Sequence, residues 1–364
     1  MVIRNMEIND YYSHKIKVIS SVLIVFVVLI HSTYNEMLDY RIANTIQVIL
    51  GGGGISRIAV PMFYILSGYL FYNGINSTKQ CLPKILKRTR TILLPYLIWN
   101  IIFVLWYMVL EIIPEVSSFV SSRILDDFKS VGILKIFKDL FLNPAGFHLW
   151  FLRDLIVAII LSPMVYLLLV RIKWLLPIGL FIIYAIITSR YMEIIKSYGI
   201  DWHYACSVAY FSIGGFVAQY DSLDTLKDLL SKKIVLIATI IYTLDTFSKI
   251  TPWKIESMLF NNFVVVCGCI VLWRGYDVIA CRNSYITHTL LNKLLGYSFF
   301  IYLFHEPTFN IIKKIGLKVF GVHEWSLILL YLINPLVMCA FAIMVAKILK
   351  RLAPNVYGIL VGGR

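Results

Sequence analysis

Uncharged, apolar stretches long enough to cross roughly 30 Å of hydrocarbon recur from one end of this chain to the other. That repetition confines the fold to elements that satisfy their own backbone inside a bilayer. The first stretch runs from Val18 to Ile30, follows the basic "HKIK", and stops at a histidine, His31. With 59% hydrophobic and 15% charged residues and a mean hydropathy of +0.79, the chain is too apolar for an ordinary soluble domain. No small-residue cleavage site follows the first stretch, so it reads as a resident span.

The expected fold is an all-α polytopic membrane protein, a single bundle of about ten transmembrane helices. Their expected spans are 16–34, 56–75, 91–113, 148–170, 175–189, 204–219, 233–248, 258–273, 294–312 and 326–349. Segments five to seven are short and interrupted by Gly, Ser or Asp. An even number places both termini on one face. Residues 1–15 then form a cytoplasmic N-terminal segment, 16–349 the transmembrane domain and 350–364 a cytoplasmic tail. Orientation follows from Lys and Arg: with the N-terminus inside, 20 of the 34 fall on cytoplasmic segments, among them "KQCLPKILKRTR", "RIK", "KDLLSKK" and "KILKR". The net charge of +14 is accounted for by anionic lipid headgroups, and nucleic acid is not an expected partner.

The six cysteines form no framework. Cys206, Cys267, Cys269 and Cys339 sit in apolar segments, and Cys81 and Cys281 in expected cytoplasmic loops. "CGC" lacks a second ligand pair, so no metal site is expected. Neither a Walker motif nor a GxGxxG occurs, and no internal repeat of the transporter kind is visible.

Ionisable groups at membrane depth are costly, about 2.5–3.5 kcal/mol each on insertion scales, and so mark candidate functional positions. They are His31, Arg57, His148, Arg153, Asp154, Asp245, His305 and Glu306. On the expected topology His31 ends the outward first helix, Arg57 begins the returning second, His148 and Arg153 open the fourth, and His305–Glu306 lies in the outer half of the ninth before Pro307. Four helices thus bring ionisable groups to a similar depth. Each also has a plainer reading: His31 as a snorkelling helix end, Arg57 after "GGGG" as an interfacial anchor, Asp245 as interfacial. Arg153 and Asp154 are adjacent on a helix, diverge by about 100°, and are not expected to pair. Lys84, Lys87, Arg88 and Arg90 before the third helix satisfy the positive-inside rule, and Arg forks also suit phosphate oxygens.

Five stretches together resemble the acyltransferase-3 family of integral membrane acyltransferases, which includes O-antigen and peptidoglycan O-acetyltransferases. They are "VVLIHS" around His31, "VPMFYILSGYLFY", "KRTRTILLPYLIW", "HLWFLRDL" and "LGYSFFIYLFHEP", in the family's order and over most of the length. The resemblance implies transfer of an acyl group, usually acetyl from acetyl-CoA, to a hydroxyl of a cell-surface glycan or lipid-linked sugar at the bacterial plasma membrane. It implies that His31 is the catalytic base, that Arg88 and Arg90, with neighbouring Lys87, hold the acyl-CoA, and that His305 matches the helix-nine histidine. Ser20 stands where the family commonly carries an Arg, eleven positions before the histidine. Lys17, the nearest basic residue, lies about 21 Å of helix from His31.

In the reaction so implied, His31 takes the hydroxyl proton as the oxygen attacks the thioester. Arg57 or Arg153 is a candidate oxyanion donor, and Glu306 or Asp154 a candidate to orient an imidazole. The base lies outward and the basic cluster inward, so the acyl arm has to thread between helices, where "GGGGIS" and "LSGYLF" permit close approach or breaks. Two other readings fit the same residues: a flippase for a lipid-linked sugar, and a non-catalytic ligand-binding membrane domain.

Overall fold

The computed structural model describes residues 2–113, 142–190, 203–220, 230–253, 257–282 and 296–363. Lys227, Lys293 and Arg364, counted above among the cytoplasmic cations, lie outside these residues, as do the side chains of Arg4, Cys281 and Arg282. The described residues are helical almost throughout. In chain order the α-helices are α1 (Val2–Ile30), α2 (Arg41–Leu50), α3 (Ala59–Tyr72), α4 (Cys81–Arg88), α5 (Leu94–Ile112), α6 (Trp150–Ile160) and α7 (Ser162–Ile172). There follow α8 (Leu175–Arg190), α9 (His203–Tyr220), α10 (Lys232–Ser248), α11 (Met258–Arg282), α12 (Ser298–Phe320), α13 (Glu324–Leu352) and α14 (Pro354–Leu360).

Each expected segment contains at least one helix, but a count of about ten spans is not reached by length and hydropathy. Among the described residues five helices are long and apolar enough to cross a membrane, or six if α6 and α7 make one broken span. The fourth segment is interrupted: α6 and α7 meet at 62° at Leu161, just before Pro163, which cannot donate to the preceding turn. Residues 1–15 were expected as a separate segment; from Val2 they are the first turns of α1. The tail also folds, with α14 laid against α5 and the Trp99 indole donating to the Leu360 carbonyl at 3.1 Å. Large apolar side chains such as Leu244, Leu336 and Val319 point outward, the arrangement expected of helices solvated by hydrocarbon.

The core is set by close helix crossings. A Cβ at Gly68 would meet the Phe211 carbonyl and one at Gly214 the Ile65 carbonyl, so α3 and α9 pack backbone to backbone through these two glycines. The "LSGYLF" glycine therefore serves packing and does not open a passage. Lys15 ties α1 to α11: its ammonium lies 2.6 Å from Asp277 and 4.0 Å from the centre of the Trp273 ring.

The break in α12 governs the site. Glu306 precedes Pro307 and adopts extended angles (φ −100°, ψ 142°) inside the helix, as a residue before proline is driven to do. Pro307 also has no N–H to give to the carbonyl four residues back, which leaves Leu303 O without its helical donor.

Candidate active site

Three histidines from three elements meet where α1 ends. His31 follows the last residue of α1, His148 sits on the single 3-10 turn Phe147–Leu149 that leads into α6, and His305 lies on α12 just before its break. Ring centres are 5.2 Å apart for His31 and His305 and 4.7 Å for His148 and His305. His148 and His305 are buried, while His31 is partly exposed and meets the half-exposed Phe147 ring edge-on at 5.1 Å. The carbonyl released by Pro307 is used here, for His148 Nε2 donates to Leu303 O at 3.3 Å. Tyr302 adds a second grip from α12, its hydroxyl donating to the His148 carbonyl at 2.6 Å. Lys313, two turns further along α12, donates to the carbonyls of His31 (3.1 Å) and Thr33 (2.5 Å) and so closes the C-terminal end of α1. Among the described residues no group of three or more His, Cys, Asp and Glu has an arrangement that could hold a metal ion.

The charged residues expected beside the histidines are engaged elsewhere. Arg57 pairs with Asp245 at 2.6 Å, reaches Asn261 at 3.3 Å, and stacks its guanidinium over Tyr242. Asp245 is thus a buried ion-pair partner, not an interfacial charge. Arg153 and Asp154 do pair, contrary to expectation: Nε donates to Asp154 Oδ1 at 2.8 Å, and Nη1 donates to the Leu142 carbonyl at 2.5 Å. Their Cβ atoms diverge, but the long Arg side chain folds back to bring its fork to the neighbouring carboxylate. Glu306 accepts from Asn310 at 2.7 Å. Among the described residues no bond joins Arg57, Arg153, Asp154 or Glu306 to His31.

A cavity of about 470 Å³ lies between α1, α3, α6, α12 and the junction that follows α4. Lys17, Ser20 and Arg88 line one end and Phe151 and Tyr302 the other, with Ile24, Phe63 and Leu155 between. Arg88 ends α4 where a π-helical turn, Thr89–Leu93, begins, and Arg88 and Ile92 of that turn both face the cavity. Lys87 and Arg90, grouped with Arg88 from the sequence, are exposed and do not line it. Lys84 caps α3 instead, donating to the Phe71 and Asn73 carbonyls at 2.7 and 2.5 Å. On α12 the cavity stops at Tyr302, three residues and about 4.5 Å of helix short of His305. Tyr302 and Phe151, with ring centres 5.6 Å apart, separate it from the histidines.

A family model described as an acyltransferase domain matches residues 14–351, which takes in all three histidines and the cavity. The chain belongs to the acyltransferase-3 family. As a family member it is a multi-pass membrane acyltransferase, consistent with its outward apolar faces. It is similar to the succinoglycan biosynthesis protein ExoH of Rhizobium meliloti (strain 1021), with 25% identity over 369 residues, 97% of this chain and 92% of that protein. No solved structure matches it.

Against the acyltransferase-3 pattern, the Ser20 departure acquires a location. Ser20 lines the basic end of the cavity one turn from Lys17, so Lys17 brings a positive charge to the neighbourhood that Ser20 leaves neutral. Sequence reasoning set Lys17 aside because it is far from His31, but its place is at the cavity mouth. His148 was among the candidate positions but had no role, and Tyr302 and Lys313 were not singled out. A signal for His148 was present in Pro307, which advertises a free carbonyl four residues back, though not which donor takes it.

Proposed function

We propose that this protein transfers an acyl group, acetyl in the simplest case, from acyl-CoA to a hydroxyl of a cell-surface polysaccharide or lipid-linked sugar at the bacterial plasma membrane, with both termini cytoplasmic. One observation carries the reading: a single cavity has two cations at its mouth and a histidine cluster just past its far wall. Lys17 and Arg88 suit the phosphates of the donor, the apolar walls suit its extended arm, and the cavity points the thioester at the histidines. Admission to the histidines needs the Phe151 ring to turn aside from Tyr302, whose hydroxyl keeps its bond to the His148 carbonyl. The similarity to a succinoglycan biosynthesis protein supports a polysaccharide as the acceptor class.

In the reaction, His31 accepts the proton of the acceptor hydroxyl as its oxygen bonds to the thioester carbonyl carbon. The tetrahedral adduct collapses with cleavage of the C–S bond, and His31 returns the proton to the departing thiolate. Proton and electron pairs balance without a further reactant. Arg57 ties the start of α3 to α10 through Asp245, and Arg153 closes on its neighbour Asp154 within α6. Their closed pairs also argue against a flippase, whose ionisable groups would string along an open path.

The test is mass spectrometry of surface glycans from cells carrying the wild-type gene, His31→Ala, or no gene, at matched membrane protein level. The wild type adds an acyl-sized mass that both others lack. Equal acylation by His31→Ala rejects His31 as the base, and no mass difference between wild type and the gene-free strain rejects acyl transfer to glycan.

A further inference from the structure

Building on that reading, we infer that His305 is the positioning residue for His31, accepting the ring N–H of His31 at its own Nε2. The first step is a tautomer. His305 Nδ1 lies 2.7 Å from the Tyr302 carbonyl and 3.3 Å from that of Ile301. A carbonyl oxygen only accepts, so Nδ1 carries the proton and Nε2 of the neutral ring is a lone pair. That Nε2 is buried with no hydrogen-bond partner among the described residues. Native structures rarely leave such an atom unsatisfied, and those that do often use it.

The second step is reach. Two imidazoles sharing an N–H···N bond have ring centres roughly 5 Å apart, since each nitrogen stands about 1.2 Å from its ring centre and the bond spans about 2.9 Å. His31 and His305 are at 5.2 Å with their planes tilted by 36°, so a small ring rotation closes the bond. His305 cannot swing away, being pinned by its two carbonyls and walled by His148 at 4.7 Å.

The third step is elimination. A base needs its second nitrogen held so that the first presents its lone pair to the substrate, a task often given to a carboxylate. Here Asp154 is bound by Arg153 and Glu306 by Asn310; His148 Nδ1 is also buried without a partner, but the imidazole whose ring meets that of His31 is His305. When His31 takes the hydroxyl proton, the resulting imidazolium donates to His305 Nε2 until it returns the proton to the thiolate.

The break in α12 is what makes this possible. It frees Leu303 O to hold His148 as a wall, and the Glu306 carboxylate at the break accepts from Asn310.

The experiment compares two replacements. The terminal amide of Gln reaches the place of Nε2 and can offer an oxygen there, whereas that of Asn reaches only the place of Nδ1 and keeps the backbone contacts alone. Cells carry wild type, His31→Ala, His305→Gln or His305→Asn at matched protein level, with glycan acylation followed over time and melting of the purified full chain recorded. We expect His305→Gln to retain acylation within about tenfold of wild type and His305→Asn to lose about 100-fold, with similar melting. A purely structural His305 gives the reverse order, since Asn preserves the carbonyl contacts; that result, or equal loss in both, overturns the inference. If wild type and His31→Ala are alike, the acyl-transfer reading itself fails, and the His305 comparison is not what decided it. A measurement free of variant folding uses the 15N-histidine wild-type protein in lipid: the His305 signal shows protonated Nδ1 and an acceptor Nε2, and the opposite tautomer sinks the proposal.

Discussion

At the basic end of the cavity Lys17 is exposed and Arg88 half-buried, each a long side chain that reaches the space from a helix flank. At the histidine end His148 and His305 are buried short rings, each anchored by one nitrogen to a backbone carbonyl of α12. The first arrangement gives charge with freedom, suited to gripping a flexible, solvated phosphate. The second gives geometry without charge, suited to holding a proton acceptor in one orientation. Substitutions at the two ends should therefore divide between donor binding and the chemical step.

Pro307→Ala tests the second half most severely. Alanine supplies the N–H that proline lacks, so α12 recaptures Leu303 O and Glu306 is no longer forced into extended angles. His148 then loses its anchor. We expect kcat to fall about 100-fold, because misplacement by about 1 Å at a reacting group is sufficient for that. Donor KM should stay near wild type and melting should not fall, since a helix gains by losing an interior proline. Unchanged kcat would show that the break in α12 is incidental to the chemistry.

Lys17→Ala and Arg88→Ala test the first half. Each removes one charge-assisted contact worth about 1.5–3 kcal/mol, so donor KM rises by about tenfold to about a hundredfold with kcat little changed. Steady-state kinetics with varied acetyl-CoA in membranes read this directly. Lys87→Ala and Arg90→Ala, which lie off the cavity, should move KM by less than about twofold. A loss of kcat without change in KM at Lys17 or Arg88 would dissolve the division between the two ends.

Much of this arrangement was legible in the sequence, but unevenly. Among the described residues the apolar stretches located every long helix, and Pro307 after "FHE" announced the break that shapes the site. The number of crossings was not legible, because helices such as α8, with 16 residues, are apolar enough to resemble spans and short for crossing alone. Pairings were also hidden. Arg57 finds Asp245 across 188 positions and His148 finds Leu303 across 155, and no local spacing encodes either. Arg153 with Asp154 failed for another reason: helical angles describe where Cβ atoms point, not where a flexible guanidinium ends. The three imidazoles were all visible as residues out of place in a membrane, yet only folding shows that α12 holds two of them by its own carbonyls.

The smallest effect on turnover is expected at the Arg57–Asp245 pair, which lies outside both ends and so serves as the reference for them. Removing one member of a buried pair costs about 3–5 kcal/mol because the other charge stays buried alone. Here the two members are not equivalent. Asp245 has Lys249 in reserve at 3.4 Å, while Arg57 without Asp245 keeps only Asn261 and the face of Tyr242. Asp245→Ala should therefore lower the melting temperature more than Arg57→Ala, and the double variant should melt above Asp245→Ala alone. Turnover per folded molecule should stay within about twofold of wild type in all three, as for substitutions remote from the reacting groups. If Arg57→Ala instead lowers kcat while melting normally, Arg57 leaves Asp245 during the reaction to meet the oxyanion, and the histidine end would have a charged component after all.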